Sequence, residues 1–215
     1  MKIVIKALLG VVAFAALTLF VCLCWFYFYS GDLPRFASLA QFAPDSTATA
    51  FDECSSSPVQ VISSSSVGRN LQNAVRAAEG ESDTIFALQI SRSMFCNSRI
   101  TMLKRHLLEY KAAVQLRRRF TPEQLLTIYL NRAYFGNSLI GAESASLHYC
   151  GKHASELDVG QAALIAGLIK GPSFYSPELH PERAKVRRNT VIQAMLKNGT
   201  VTAEQAEAAE QSALR

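Results

Sequence analysis

Residues 158–172 read DVGQAALIAGLIKGP, and this stretch decides the fold class. Asp158 can accept from the backbone N–H three residues on while Gln161 reaches back, a capping box that starts a helix. Gly171-Pro172 stops it, because proline cannot continue the hydrogen-bond ladder. Between these signals the segment is apolar on most sides, which a helix tolerates only when neighbours surround it. Other helices must therefore pack around it, and the flanking sequence supplies them. TPEQLLTIYLN (121–131) has Thr121 as N-cap, Pro122 at the first helical position and Gln124 closing a second box. HPERAKVRRNTVIQAMLKNG (180–199) starts at Pro181 and stops at Gly199, and Thr202 with Gln205 caps a short final helix. A further helix covers Leu103 to Arg119. No internal repeat and no alternating strand run of useful length appears, so the chain from Leu71 onward reads as an all-α domain.

The N-terminal part has a different character. The 215 residues allow one ordinary domain plus an attachment, and 49% hydrophobic against 18% charged leans toward a membrane-linked protein. From Ala7 to Tyr29 there are 23 residues without a charge, about 34 Å of helix against a hydrocarbon core of about 30 Å. Trp25 to Tyr29 are all aromatic, as suits a membrane boundary. Lys2 and Lys6 precede the run, so residues 1–6 read as a cytoplasmic tail and 7–29 as a single transmembrane helix. The remaining chain then lies outside the cytoplasmic (inner) membrane, in the periplasm or beyond. A cleaved signal peptide ending at SLA (38–40) is the competing reading, but the apolar run is too long and the site too distant. Residues 30–70, with Pro34, Pro44, Pro58 and serine runs, form an extracytoplasmic connector in which VQVI (59–62) can make a strand. Cys54, Cys96 and Cys150 follow the span, an odd number. An oxidising compartment permits one bridge, with Cys54–Cys96 the expected pair and Cys150 buried as a small apolar residue, though spacing alone leaves the pairing open.

The net charge is +5, and between Asn97 and Phe120 seven Lys/Arg face one acid, Glu109. On an outer, anchored domain such a patch suits lipid headgroups, phosphates or an anionic polymer better than nucleic acid, and a solvated helix face is the plain alternative. Arg105 and Glu109 stand four residues apart with His106 between them, a spacing that most often makes a surface salt bridge of little weight. No His/Cys set has metal-ligand spacing, and there is neither a glycine-rich phosphate loop nor a G-x-S-x-G.

Several segments resemble family 51 peptidoglycan glycosyltransferases, the lipid II-polymerising domains of penicillin-binding proteins and monofunctional transglycosylases. YLNRAYFG (129–136) resembles the family's Tyr-Leu-Asn motif, and RRNTVI (187–192) its Arg-Arg-x-x-Val-Leu motif. RHLLE (105–109) is similar to Arg-Lys-x-x-Glu, with His106 for lysine, and TIFALQISRSMF (84–95) keeps the family's Gln at Gln89 and its cation at Arg92. The resemblance covers residues 71–210, within a domain of 71–215, and implies a lysozyme-like all-α glycosyltransferase domain, truncated and divergent in its N-terminal catalytic part. There the family has a Glu-Asp pair after an alanine-rich helix. NLQNAVRAAEG (70–80) puts Glu79 at the base and Gly80 where the Asp belongs. Only Glu81, Ser82 and Asp83 then precede Thr84, so the family's Phe and His positions, its lipid-facing segment and two glycines are absent. Thr127 stands where the family has Glu.

The family joins an acceptor 4-hydroxyl to the anomeric carbon of a polyprenyl-pyrophosphate-linked donor, with inversion. The resemblance implies Glu79 as general base and Glu109 as a catalytic carboxylate that orients or stabilises the leaving group. It implies Arg92, Arg105, Arg187 and Arg188 as pyrophosphate or sugar contacts, Gln89 and Asn131 as residues that fix geometry, and a divalent cation at the pyrophosphate as an optional cofactor. Partners would be lipid II or a nascent glycan strand, membrane lipids and a cell-wall synthase. The alternative is an inactive relative that binds lipid II or glycan, or regulates a synthase.

Overall fold

The computed structural model describes residues 2–29, 36–42, 48–51, 58–80, 82–95 and 101–214. Helix α1 (Lys2–Tyr29) is followed by a short 3-10 helix (Phe36–Phe42) and by strands β1 (Ala48–Phe51) and β2 (Pro58–Val61). The strands pair antiparallel with Ala48 opposite Val61, so the expected strand at 59–62 is half of a hairpin. Helices α2 (Arg69–Glu79), α3 (Asp83–Met94), α4 (Met102–Arg119), α5 (Pro122–Arg132), α6 (Ala142–Cys150), α7 (Val159–Ile169), α8 (Pro181–Lys197) and α9 (Ala203–Gln211) complete the chain. Capping boxes form at Thr121/Gln124, Asp158/Gln161 and Thr202/Gln205, where the sequence places them. Among the described residues no helix is long and apolar enough to cross a membrane. The described side chains of α1, residues 10–24, are exposed except for half-buried Cys24. Cys54 and Cys96 lie outside the described residues, and Cys150 is half-buried rather than buried.

Helix α7 is the centre of the domain. Ala162 to Leu168 are buried without interruption, and α8 and α2 form its largest interfaces, with α9 and α6 beside them. Small residues make that crowding possible. At Gly160 a Cβ would lie 2.9 Å from Ser212 Oγ and 3.2 Å from the Ala209 carbonyl oxygen, so glycine lets α9 close onto α7. A second layer packs α3 against α4 and α5, with Phe86, Ile90, Leu116 and Ile128 fully buried between them.

Two polar side chains hold the layers in register. Asn131, fully buried at the end of α5, accepts from Ile62 N at 3.0 Å through Oδ1. Its Nδ2 donates to the carbonyls of Phe42 and Ile62, both at 2.8 Å, so one amide ties α5 to the hairpin and the 3-10 helix. Arg188, 1% exposed, donates from α8 to the carbonyls of Glu210 at 2.8 Å and Ser212 at 2.9 Å. These are among the carbonyls that a helix end leaves without an intrahelical partner, and burial lowers the guanidinium's pKa.

The α6–α7 turn contains a pH-sensitive contact. Buried Glu143 accepts from Ala154 N at 3.0 Å and pairs with His153 Nδ1 at 2.5 Å. The hydrogen bond to Glu143, then the carboxylate's charge, raises the pKa of His153. Folding thus favours the protonated imidazole. Its contribution is complete below the unfolded value of about 6.5 and is lost as pH rises through the higher folded value. Thermal melts from pH 6 to 9 should show Tm declining across that window, and His153→Gln should flatten the decline; an unchanged slope would remove His153 from the linkage.

Candidate active site

Glu79 is the last residue of α2, and it faces a cleft of about 470 Å3. Helix α3 turns Gln89 and Ser93, one helical turn apart, toward the same space. The end of α5 contributes Tyr129 and Arg132, Tyr134 follows them, and the exit of α7 adds Lys170 and Pro172. The side-chain oxygen Oε1 of Glu79 is buried and has no hydrogen-bond partner. A carboxylate oxygen in that state is an unused acceptor, and leaving it so costs stability. Tyr129 shows the effect of the same charge: burial first, and Glu79 second, push its phenol well above the usual tyrosine range. The phenol therefore stays protonated at any physiological pH. Arg132 Nε donates to Ser93 Oγ at 3.3 Å and its guanidinium sits 5.1 Å from the centre of the Phe42 ring. Arg132 and Lys170 line the same cleft as Glu79. Tyr129, Arg132, Ser93 and Lys170 were not singled out from the sequence; Tyr129 and Arg132 lie within the YLNR segment, whereas Lys170 carries no local signal beyond its place before Gly-Pro.

The position directly after Glu79 is a glycine with an unusual backbone. Gly80 adopts φ 108° and ψ 157°, a region closed to ordinary L-residues, and a Cβ there would stand 2.8 Å from Ile85 Cδ1. This backbone lets α2 hand over to α3 within three residues, Ser82 capping α3 through Thr84 N at 3.3 Å. An aspartate at position 80 would need another loop. Gly80→Asp should cost about 1–3 kcal/mol, read as a lowered denaturation midpoint, without creating a second working carboxylate. A midpoint at the wild-type value would refute the conformational argument.

Glu109 belongs to a separate cluster. Its side chain is 6% exposed and accepts from Arg105 Nε at 2.9 Å, with His106 Nδ1 at 3.3 Å and Arg92 Nε at 3.9 Å. The i,i+4 pair that sequence spacing suggests on a surface is thus half-buried, and His106 and Arg92 reinforce it. Helix α3 presents Arg92 to α4, and neither Glu109 nor Arg105 lines the cleft. The structure brings Glu79 and Gln89 together, and separately Glu109, Arg105 and Arg92.

The remaining residues implied by resemblance fall elsewhere. Asn131 commits its Nδ2 and Arg188 its Nη1 and Nη2 to backbone carbonyls as described above, while Arg188 Nε donates to Asn189 Oδ1 at 3.1 Å. Asn131 bonds the backbone of segments far away in sequence, at Phe42 and Ile62. Arg187 is half-buried between Gly167 and the Tyr175 ring, with Nε and Nη2 buried and without hydrogen-bond partners. Thr127 is buried and donates to the Glu123 carbonyl at 2.8 Å, so it serves the helix. Among the described residues no group of three His, Cys, Asp or Glu side chains could hold a metal ion. Among the described residues Glu79 is the one carboxylate in the cleft lining, a donor set that does not fit a resident divalent cation.

A family model described as Transglycosylase matches residues 60–196, more than half of the chain. Penicillin-binding protein 1A of Aquifex aeolicus is 40% identical over 121 residues, covering 56% of this chain and 16% of that protein. Penicillin-binding protein 2a of Streptococcus pneumoniae (strain D39) is 35% identical over 169 residues, covering 67% of this chain and 23% of that protein. The crystal structure of penicillin-binding protein 1A from Haemophilus influenzae aligns with a TM-score of 0.49 at 23% identity, over 78% of this chain and 19% of that one. The chain thus spans less than a quarter of the length of these relatives. Every residue that lines the Glu79 cleft falls inside the matched stretch, and the chain belongs to the transglycosylase family, the family 51 peptidoglycan glycosyltransferases.

Proposed function

We propose that this chain is a membrane-attached peptidoglycan glycosyltransferase that works on lipid II or a nascent glycan strand in the Glu79 cleft. The observation that carries the reading is the buried, unpartnered Oε1 of Glu79 in a cleft of about 470 Å3 that Arg132 and Lys170 also line. In this reading Glu79 takes the proton of the acceptor 4-hydroxyl as that oxygen attacks the anomeric carbon of the donor. The bond from that carbon to the pyrophosphate oxygen breaks on the opposite face, so configuration inverts. Arg132 and Lys170 offset the charge that gathers on the departing pyrophosphate, a stabilisation that grows toward the transition state. Tyr129 remains a hydrogen-bond donor throughout, and Gln89 orients the sugar. Glu109 acts at one remove, holding Arg92 and Arg105 in place. The uncharged run 7–29 anchors the chain in the cytoplasmic membrane with the domain outside, and the exposed apolar side chains along α1 support that placement. The anchor keeps a lipid-linked substrate within reach. A cell-wall synthase is the proposed protein partner.

Gly80 favours a second reading, an inert relative that binds lipid II or glycan, because its backbone excludes the family's second carboxylate. Polymerisation of labelled lipid II by the full chain in liposomes separates the two. Glycan chains that vanish with Glu79→Gln support the enzyme; no product together with saturable lipid II binding establishes the inert form.

A further inference from the structure

Helix α4 has two apolar faces. The inner one, Leu108, Ala112, Ala113 and Leu116, is buried against the domain. The outer one is Leu103, Leu107, Tyr110 and Val114, spaced i, i+4, i+7 and i+11 and hence a single stripe. Leu103 is 73% and Tyr110 63% exposed. A row of cations, Lys104, Lys111 and Arg118, runs along one side of the stripe at seven-residue intervals, and Arg117 and His106 lie along the other. The one acid of the helix, Glu109, is turned inward and already paired with Arg105, so it does not offset the outward cations. Exposed leucine and tyrosine flanked by lysine and arginine is the pattern of a helix that lies in a membrane interface, apolar side chains dipping in and cations reaching headgroup phosphates.

We infer that the outer face of α4 rests on an anionic lipid bilayer, with Leu103 and Tyr110 in the headgroup–acyl boundary and Lys104 and Arg118 on lipid phosphates. Charge complementarity selects the occupant, since a zwitterionic surface or a neutral glycan would leave Lys104 and Arg118 unmatched. The inference rests on the anchored topology proposed above, which delivers the domain to the bilayer, and it is independent of whether the cleft catalyses.

The test uses the full chain with Trp25, its one tryptophan, changed to phenylalanine and Tyr110→Trp added. It is reconstituted in phosphatidylcholine vesicles with or without phosphatidylglycerol, their acyl chains brominated near the headgroup. In the anionic vesicles emission from position 110 should fall by about half, and Lys104→Glu with Arg118→Glu should restore it. Flotation with both vesicle types reads the anchor separately. Flotation without quenching at position 110, or equal quenching in both lipids, overturns the inference while the anchor stands; a chain that fails to float overturns both.

Discussion

Replacing Glu79 by glutamine is expected to lower lipid II polymerisation by about 10²–10⁴-fold, with the fold retained. Glutamine keeps the shape and removes the proposed proton acceptor. Among the described residues no second carboxylate lines the cleft, and Glu109 is held by Arg105 in another cluster. The measurement is initial rate per molecule from chromatographic resolution of labelled glycan, beside a thermal melt of each protein. Wild-type rates in the variant would show that some other group takes the acceptor proton. Glu109→Gln should behave differently. Its loss frees Arg105 and Arg92 from their buried acceptor, so a lower melting temperature should accompany any loss of rate.

The second large effect is on stability. Asn131→Ala should destabilise the domain by about 3–5 kcal/mol, because it leaves a buried N–H and two buried carbonyls without the partner they share. That is a large share of the roughly 5–15 kcal/mol of a typical domain. Asn131→Asp should do at least as much harm at neutral pH. It would keep an acceptor for Ile62 N but set a carboxylate against the carbonyls of Phe42 and Ile62. Denaturant midpoints check the magnitude. Because Asn131 does not line the cleft, the KM and kcat of the folded fraction should stay near wild type. A KM that rises while the midpoint holds would return Asn131 to the substrate.

Some features were fully legible in the residues because they act locally. The three capping boxes need side chains three residues apart, so Thr121, Asp158 and Thr202 announce their helices without any tertiary help. The apolar surround of 158–172 likewise requires α7 to be central, since no amphipathic stripe is available to face water. The Arg105–Glu109 pairing follows from helical pitch. What spacing cannot supply is the environment: the same pair reads as a surface salt bridge until α3 brings Arg92 to it and burial removes water. Family motifs share that limit. Arg187 and Arg188 are adjacent in one motif, yet a rotation of about 100° per residue sends Arg188 to the carbonyls that end α9 and leaves Arg187 beside Tyr175. Asn131 has the residue type of a site amide, and only the return of the chain at Phe42 and Ile62 turns it into a clasp.

By itself, then, the sequence of this protein determined where α4, α5, α7, α8 and α9 run, which helix lies at the centre, and that glycine follows Glu79 where the family resemblance implies a second carboxylate. Each of these depends on neighbours within one or two helical turns. Only the tertiary structure decided that Glu79 shares a cleft with Tyr129, Arg132 and Lys170, and that Glu109 stands in a different cluster. Those neighbours are separated from it by tens of residues, and their meeting depends on how α2, α5 and α7 pack, a property of side-chain volume in three dimensions that no local spacing encodes.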